Sequence, residues 1–294
     1  MTEDNSDPTA AIPFLGRLSD NAQDVLAGRS APAVPRDAAT VMLLRPARGG
    51  TGPQAGRPGM EVYMLRREPS MAFAPGAMVF PGGSVDSRDA DEEVAWAGPD
   101  AAAWGEILAA PPDLARALVC AAVRETFEES GVLLAGESAD SVVADTTSED
   151  WERDRSALLD RSLSLAELLA ARRLVLRSDL LRAWARWITP VVEPRRYDAR
   201  FFAAALPAGQ QVRGHPAEAD KVAWLRPGDA LDAARQGTMS LLPPTATTLA
   251  EFAAATGVAD IVGRERRVAP IQPVLVSEDG KAWLEVPDNV GYPL

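Results

Sequence analysis

The chain has 294 residues, 47% apolar and 24% charged, which allows one or two domains with a sizeable core. Its formal net charge is −12, with acidic residues spread along the chain and only Lys221 and Lys281 as lysines. That balance argues against nonspecific binding to nucleic acid or an acidic membrane, since both need a basic patch. The single cysteine, Cys120, rules out a disulfide framework and a cysteine metal site.

Met1 to Asp7 is acidic where a secretory leader is basic and then apolar. No apolar run approaches the ~20 residues of a membrane span, so a cytoplasmic location is expected. Residues 1–35 are expected to be a flexible segment holding one short helix within Ile12 to Leu26, and residues 36–294 a single domain. Ala39 to Leu44 reads as a buried strand, Ala47 to Pro58 as a Gly/Pro-rich loop, and Glu61 to Arg66 as the strand that pairs back. Gly76 to Phe80 leads into Pro81-Gly82-Gly83, a strand stopping at a tight turn. Paired glycines there let a backbone carbonyl approach a ligand without obstruction.

Ser87 to Pro112 carries Trp96, Trp104, Ile107 and Leu108 among its polar residues, too apolar for a free linker. It is expected to pack as an ordered helical flap near the site. Asp113, after Pro111-Pro112, is the expected N-cap of a long helix. In it Leu114, Leu118, Ala122 and Val119, Val123, Phe127 recur at four-residue spacing until Gly131 ends it. Cys120 lies in this stripe and reads as a packed core thiol.

Val132 to Leu134 reads as the next strand. Residues 135–183 read as a second, mainly helical insertion, with helices at Trp151 to Leu159 and Leu165 to Arg172. Asp198 to Leu206 and Lys221 to Leu225 are further strands, and Pro227 to Gln236 and Thr245 to Ala255 helices. Ile271 to Val276 and Ala282 to Val286 form a late hairpin. This alternation excludes an all-α or all-β domain.

The chemistry concentrates in Arg124-Glu125-Thr126-Phe127-Glu128-Glu129-Ser130-Gly131-Val132. Glu125 stands three and four residues before Glu128 and Glu129, so three carboxylates converge on neighbouring patches of one helix surface. Like charges repel at that spacing, and a helix C-terminus adds a field unfavourable to anions. A hard divalent cation such as Mg2+ or Mn2+ relieves both. The bland alternative is a solvated acidic face.

Together with Gly83, this segment resembles the signature of the Nudix hydrolases, a glycine followed by R-E-U-x-E-E-x-G-U, where U is a bulky aliphatic residue. The family places 13 residues between that glycine and the arginine, whereas 40 separate Gly83 from Arg124. The glutamate expected eight positions before the arginine is missing, Arg116 standing there, and Thr126 replaces a larger aliphatic. The split box is similar to that of the subgroup containing the mammalian peroxisomal coenzyme A diphosphatase. Ala72 to Gly83, Trp184 to Pro190 and Pro194 to Phe202 resemble it too, and Val286 to Pro293 more weakly.

The resemblance implies an α/β (α+β) Nudix fold, a mixed β-sheet sandwiched between helices, with two helical insertions at about 87–112 and 135–183. It implies hydrolysis of a nucleoside diphosphate joined to another moiety, by water attack on phosphorus, with Mg2+ or Mn2+. Glu125, Glu128, Glu129 and the Gly82 carbonyl are the implied metal ligands. Glu125 or Glu129 could alternatively take the water proton, and Arg124 would orient a glutamate through a charge-assisted pair. Glu218 is a further candidate ligand or base, weighed against a solvated loop acid; His215, the only histidine, reads as incidental. Arg195 and Arg196 are candidate readers of the 3'-phosphate of coenzyme A, weighed against an Arg–Asp structural pair. Trp184 and Trp187 read as packing.

Coenzyme A or an acyl-CoA is the first substrate implied, although the coenzyme A motif of the family fits only at Gly76 and Phe80 to Gly83, with Ala72 in place of an arginine. ADP-ribose or another nucleoside diphosphate derivative is the alternative. A non-catalytic Nudix-fold binding protein is disfavoured because the box carboxylates survive. The expected partner is this small molecule, with no nucleic acid and no membrane; a homodimer is left open.

Overall fold

The computed structural model describes residues 11–13, 20–48, 59–68, 74–91, 93–214, 219–278, 281–287 and 290–294. The first elements are β1 (Ala11–Pro13) and α1 (Asp20–Leu26), where the sequence pattern suggested one helix. β2 (Arg36–Pro46) and β3 (Met60–Arg67) pair antiparallel, Leu44 opposite Val62, as expected. β4 (Met78–Val79) joins β3 and β5 (Gly82–Ser84) joins β2. The expected stop at Pro81 is therefore an interruption. Proline lacks the N–H for a ladder bond, so one strand becomes two and the second begins on Gly82.

A 3-10 turn (Ser87–Ala90), β6 (Trp96–Ala97) and α2 (Ala101–Leu108) lead into the long helix α3 (Pro112–Ser130). α2 lies along α3, and its buried Trp104 meets Phe202 edge-on, ring centres 5.9 Å apart. The stretch is thus helical and packed, and its first turn brings Asp89 to Arg124. The N-cap of α3 is Pro111 and not Asp113. Pro112 takes the first helical position, where a missing N–H costs nothing, and Asp113 sits in the first turn at the positive end of the helix dipole. At the other end Gly131 adopts φ 72°, and its N–H donates to the Phe127 carbonyl (2.8 Å), the expected stop.

Val132 to Leu134 is fully buried yet forms no strand. The Gln210 amide takes the place of a neighbouring strand: its Oε1 accepts the Leu133 N–H (2.9 Å), and its Nε2 donates to the Leu133 carbonyl (2.9 Å) and the Val143 carbonyl (2.7 Å). Beyond this run come β7 (Ala135–Gly136), α4 (Glu149–Leu159), α5 (Leu165–Arg172) and β8 (Val175–Arg177). A 3-10 turn (Ser178–Leu180) then leads to β9 (Arg182–Ile188), β10 (Tyr197–Ala205), β11 (Ala219–Leu225), α6 (Pro227–Arg235), α7 (Pro243–Ala253) and α8 (Val258–Val262). β12 (Pro270–Ile271) precedes the hairpin of β13 (Val274–Glu278) and β14 (Lys281–Glu285).

The central sheet runs β11-β3-β2-β10-β9-β12, with β4 and β5 alongside. It is mixed: β2 with β10 and β9 with β12 are parallel, the other pairs antiparallel. Strand residues alternate between faces. Ala39, Val41, Leu43, Tyr63, Leu65, Phe202 and Ala204 pack with α3. Met42, Leu44, Val62, Met64, Phe201 and Ala203 pack with α6, α7 and α8. Both faces are covered, so the sheet lies between helical layers. Among the described residues no helix is long and apolar enough to cross a membrane.

Candidate active site

The last turns of α3 lie over β5, and the two glycines of β5 make that approach feasible for separate reasons. Gly83 pairs with Ala39 of β2 and Gly82 with Thr40. A Cβ on Gly83 would overlap the Glu125 carboxylate, while a Cβ on Gly82 would strike the Ala39 carbonyl and Thr40. The Val41 N–H donates to the Pro81 carbonyl (2.8 Å) and the Val85 N–H to the Asp37 carbonyl (2.9 Å), so ladder bonds fall on alternate residues of this segment. Gly82 lies between those positions, and its N–H and C=O both face away from β2. That N–H donates to Glu129 Oε2 (2.9 Å).

Arg124 organises the rest. Its buried guanidinium donates to both Asp89 oxygens (2.9 Å each), to Glu125 Oε1 (2.8 Å), to Glu128 Oε2 (3.2 Å) and to the Ser84 carbonyl (3.0 Å). Burial opposes its charge, yet the Asp89 hydrogen bonds and the fields of Glu125, Asp89 and Glu128 outweigh this and raise its pKa above the ordinary value. Thr126, in the aliphatic position, is fully buried and satisfies its hydroxyl on the Ala122 carbonyl (2.6 Å).

Asp89 corrects the sequence reading. A glutamate eight before the arginine, with 13 residues between glycine and arginine, is also the sixth residue after the glycine. The sixth residue after Gly83 is Asp89. The acid is present and the insertion follows it, so counting back from Arg124 lands on Arg116. Arg116 instead donates to the carbonyls of Asp91 and Val94 (3.0 Å each). Asp89 is fixed by a capping box around the Ser87–Ala90 turn, in which its Oδ2 accepts the Asp86 N–H (2.8 Å).

Asp89, Glu125 and Glu128 are thus buried around the Arg124 guanidinium, which bonds all three directly, and the half-buried Glu129 stands beside them on the Gly82 N–H. Buried charges must be balanced. Among the described residues no three acidic, histidine or cysteine side chains close around one point: Glu125 and Glu128 turn to Arg124, and Glu129 to Gly82. The donors are carboxylate oxygens and a peptide carbonyl, which suit a hard divalent ion such as Mg2+ or Mn2+. The residues fit such a cation in kind.

The structure treats the other candidates unequally. Glu218 and His215 lie outside the described residues. Arg195 is exposed, whereas Arg196 is 8% exposed and donates to the Thr189 carbonyl (3.0 Å) and the Ala33 carbonyl (2.7 Å). Phe201 stands opposite Thr40, which stands opposite Gly82, so Arg196 lies five residues, ~16 Å, along the sheet from Gly82. Its Nε and Nη1 are thus taken by backbone carbonyls. The Arg–Asp pairing weighed for that stretch exists with other arginines: Asp198 binds Arg186 (2.7 Å) and Arg200 (2.9 Å). Trp184 and Trp187 are buried on the opposite face of the sheet from α3.

The family model described as the NUDT19 Nudix domain matches residues 98–251, just over half of the chain. The chain belongs to this Nudix hydrolase family. The acyl-coenzyme A diphosphatase NUDT19 of Xenopus laevis is 27% identical, over 63% of this chain and 57% of its own. The putative nudix hydrolase 7 of Caenorhabditis elegans is also 27% identical, over 62% and 52%. The match therefore spans little more than half the length of these curated relatives. The human acyl-coenzyme A diphosphatase NUDT19 is 26% identical, over 87% of this chain and 80% of its own. Among solved structures, a Nudix hydrolase from Alicyclobacillus acidocaldarius has a TM-score of 0.65 and 27% identity, covering 80% of this chain and 98% of that one. The Nudix family match begins beyond Gly83 and Asp89, so that half of the box rests on the geometry above.

Proposed function

We propose that this protein is a metal-dependent Nudix pyrophosphohydrolase acting on coenzyme A or an acyl-CoA, releasing 4'-phosphopantetheine or its acyl form and 3',5'-ADP. The observation that carries the hydrolase reading is the buried Arg124 tie to Asp89, Glu125 and Glu128 beside the Glu129–Gly82 contact. The substrate reading rests on the coenzyme A diphosphatase names of the relatives. Residues 36–294 act as one Nudix domain in this reading, with insertions at about 87–112 and 135–183.

A divalent cation bound by Glu125, Glu128, Glu129 and the Gly82 carbonyl would neutralise diphosphate charge and acidify a water. The chain's own part is orientation. Arg124 fixes the rotamers of Glu125 and Glu128, and the Gly82 N–H fixes Glu129, so little reorganisation remains at the moment of reaction. Glu125 or Glu129 accepts the proton of the attacking water, whose oxygen joins phosphorus as the bridging P–O bond breaks. Arg195, with its exposed side chain, is the member of the arginine pair left to contact a 3'-phosphate.

A panel of coenzyme A, acyl-CoA, 3'-dephospho-coenzyme A and ADP-ribose, each with Mg2+ and with Mn2+, tests the substrate by product mass. Coenzyme A should yield 4'-phosphopantetheine and 3',5'-ADP. Turnover of ADP-ribose to AMP and ribose 5-phosphate, with coenzyme A untouched, would replace this substrate by the alternative.

A further inference from the structure

The catalytic glutamates stand on the last turns of α3, where the backbone carbonyls have no helical partners. Three groups from outside the helix take those carbonyls. The Gly131 carbonyl accepts the Thr146 hydroxyl (2.7 Å), the Ser130 carbonyl accepts the Arg213 N–H (2.7 Å), and the Glu128 carbonyl accepts Nε of Arg155 (2.7 Å). Arg155 belongs to α4 in the second insertion and is 1% exposed. Its Nη2 donates onward to the Arg213 carbonyl (2.8 Å), and its Nη1 lies 3.5 Å from Glu152. One planar fork therefore joins α4, the end of α3 and the segment at Arg213.

A buried guanidinium is costly, and burial lowers the pKa of Arg155 despite the opposing field of Glu152. Its place is specific to the carboxylate end. The buried Tyr63 hydroxyl, without a hydrogen-bond partner among the described residues, lies in the fields of both Arg155 and Glu129. We propose that Arg155 is a positioning residue: by holding the Glu128 peptide it sets the direction in which Glu128 and Glu129 leave the helix. The second insertion is then part of the catalytic apparatus. The inference rests on the hydrolase reading above.

The test compares Arg155→Met, which keeps the stem and loses the fork, with Arg155→Lys, which keeps the charge but cannot span both carbonyls. Mn2+ affinity is read by titration of the substrate-free protein, and kcat and KM by product formation, well below the melting temperature. Misdirected ligands should weaken Mn2+ binding about tenfold in both variants. They should also lower kcat ~10- to 100-fold, with KM nearly unchanged. Charge alone gives the opposite sign for Arg155→Met, since removing a fixed positive charge favours a bound cation. Tighter or unchanged Mn2+ binding with wild-type kcat, the variant losing only thermal stability, overturns the proposal. If Arg155→Met does not fold, Arg155→Lys decides by the same readings. A wild type that binds no Mn2+ and hydrolyses nothing brings down the hydrolase reading itself, and the proposal with it.

Discussion

Gly82 and Gly83 are adjacent, yet each lacks a side chain for a different neighbour, and the two should fail differently. An alanine at 83 meets the Glu125 carboxylate, the end of a side chain that Arg124 holds from the other side. Gly83→Ala should displace that carboxylate and lower kcat on the order of a hundredfold, the scale of a 1 Å misplacement, with little change in Tm. An alanine at 82 meets the backbone of β2, which cannot step aside. Gly82→Ala should cost about 1–3 kcal/mol of stability as overpacking, seen in urea unfolding. The reverse pattern would misplace both glycines. At Cys120, burial pushes the thiol up to about 12, and the Asp89 field adds to it. Native protein at pH 8 should not react with a thiol reagent, and urea-unfolded protein should react at once. Because the folded pKa is raised, the stability this neutral thiol lends is full below the unfolded value of ~8.5 and is lost as pH rises towards the folded one. Rapid labelling of the folded chain would contradict the packed-thiol reading. Arg124 and the three glutamates were legible because helical spacing brings near neighbours in sequence together. Asp89 was not, because the insertion separates it from Arg124 and only the count from Gly83 finds it.

At the scale of elements, periodicity located α3 well, since its apolar stripe and the terminal Gly131 are local signals. α5 matched its expected bounds as well, helped by a capping box between Ser164 and Glu167. Val132 to Leu134 shows where such reading stops. Its apolar run correctly signals burial, but the partner of the Leu133 backbone is a side chain 77 positions away. No local pattern announces that. Gln210→Ala should leave the buried Leu133 N–H and carbonyl without partners and cost about 3 kcal/mol. A shift in the urea midpoint checks it, and a change within error would mean that the run finds other partners. The turn at Ser87–Ala90 makes a similar point. The length of the insertion was visible, while the delivery of Asp89 to Arg124 by its first turn is a tertiary fact.

At the scale of the whole molecule, the sheet is covered on both faces because its strands alternate two apolar sets; the sequence pattern excluded an all-α or all-β domain, and the sandwich itself was what the family resemblance implied. The net charge of −12 does not repel an anionic substrate if the local sign at the carboxylates is set by a bound cation. The central claim is that these carboxylates carry metal-dependent hydrolysis. Hydrolysis of coenzyme A with Mg2+, followed by product mass for wild type and Glu129→Gln, tests it most directly. Wild type should release 3',5'-ADP and 4'-phosphopantetheine, with all activity lost in EDTA. Glu129→Gln should be slower by roughly a thousandfold, ~4 kcal/mol in the transition state. Full activity in EDTA, or an unchanged rate for Glu129→Gln, would contradict the account.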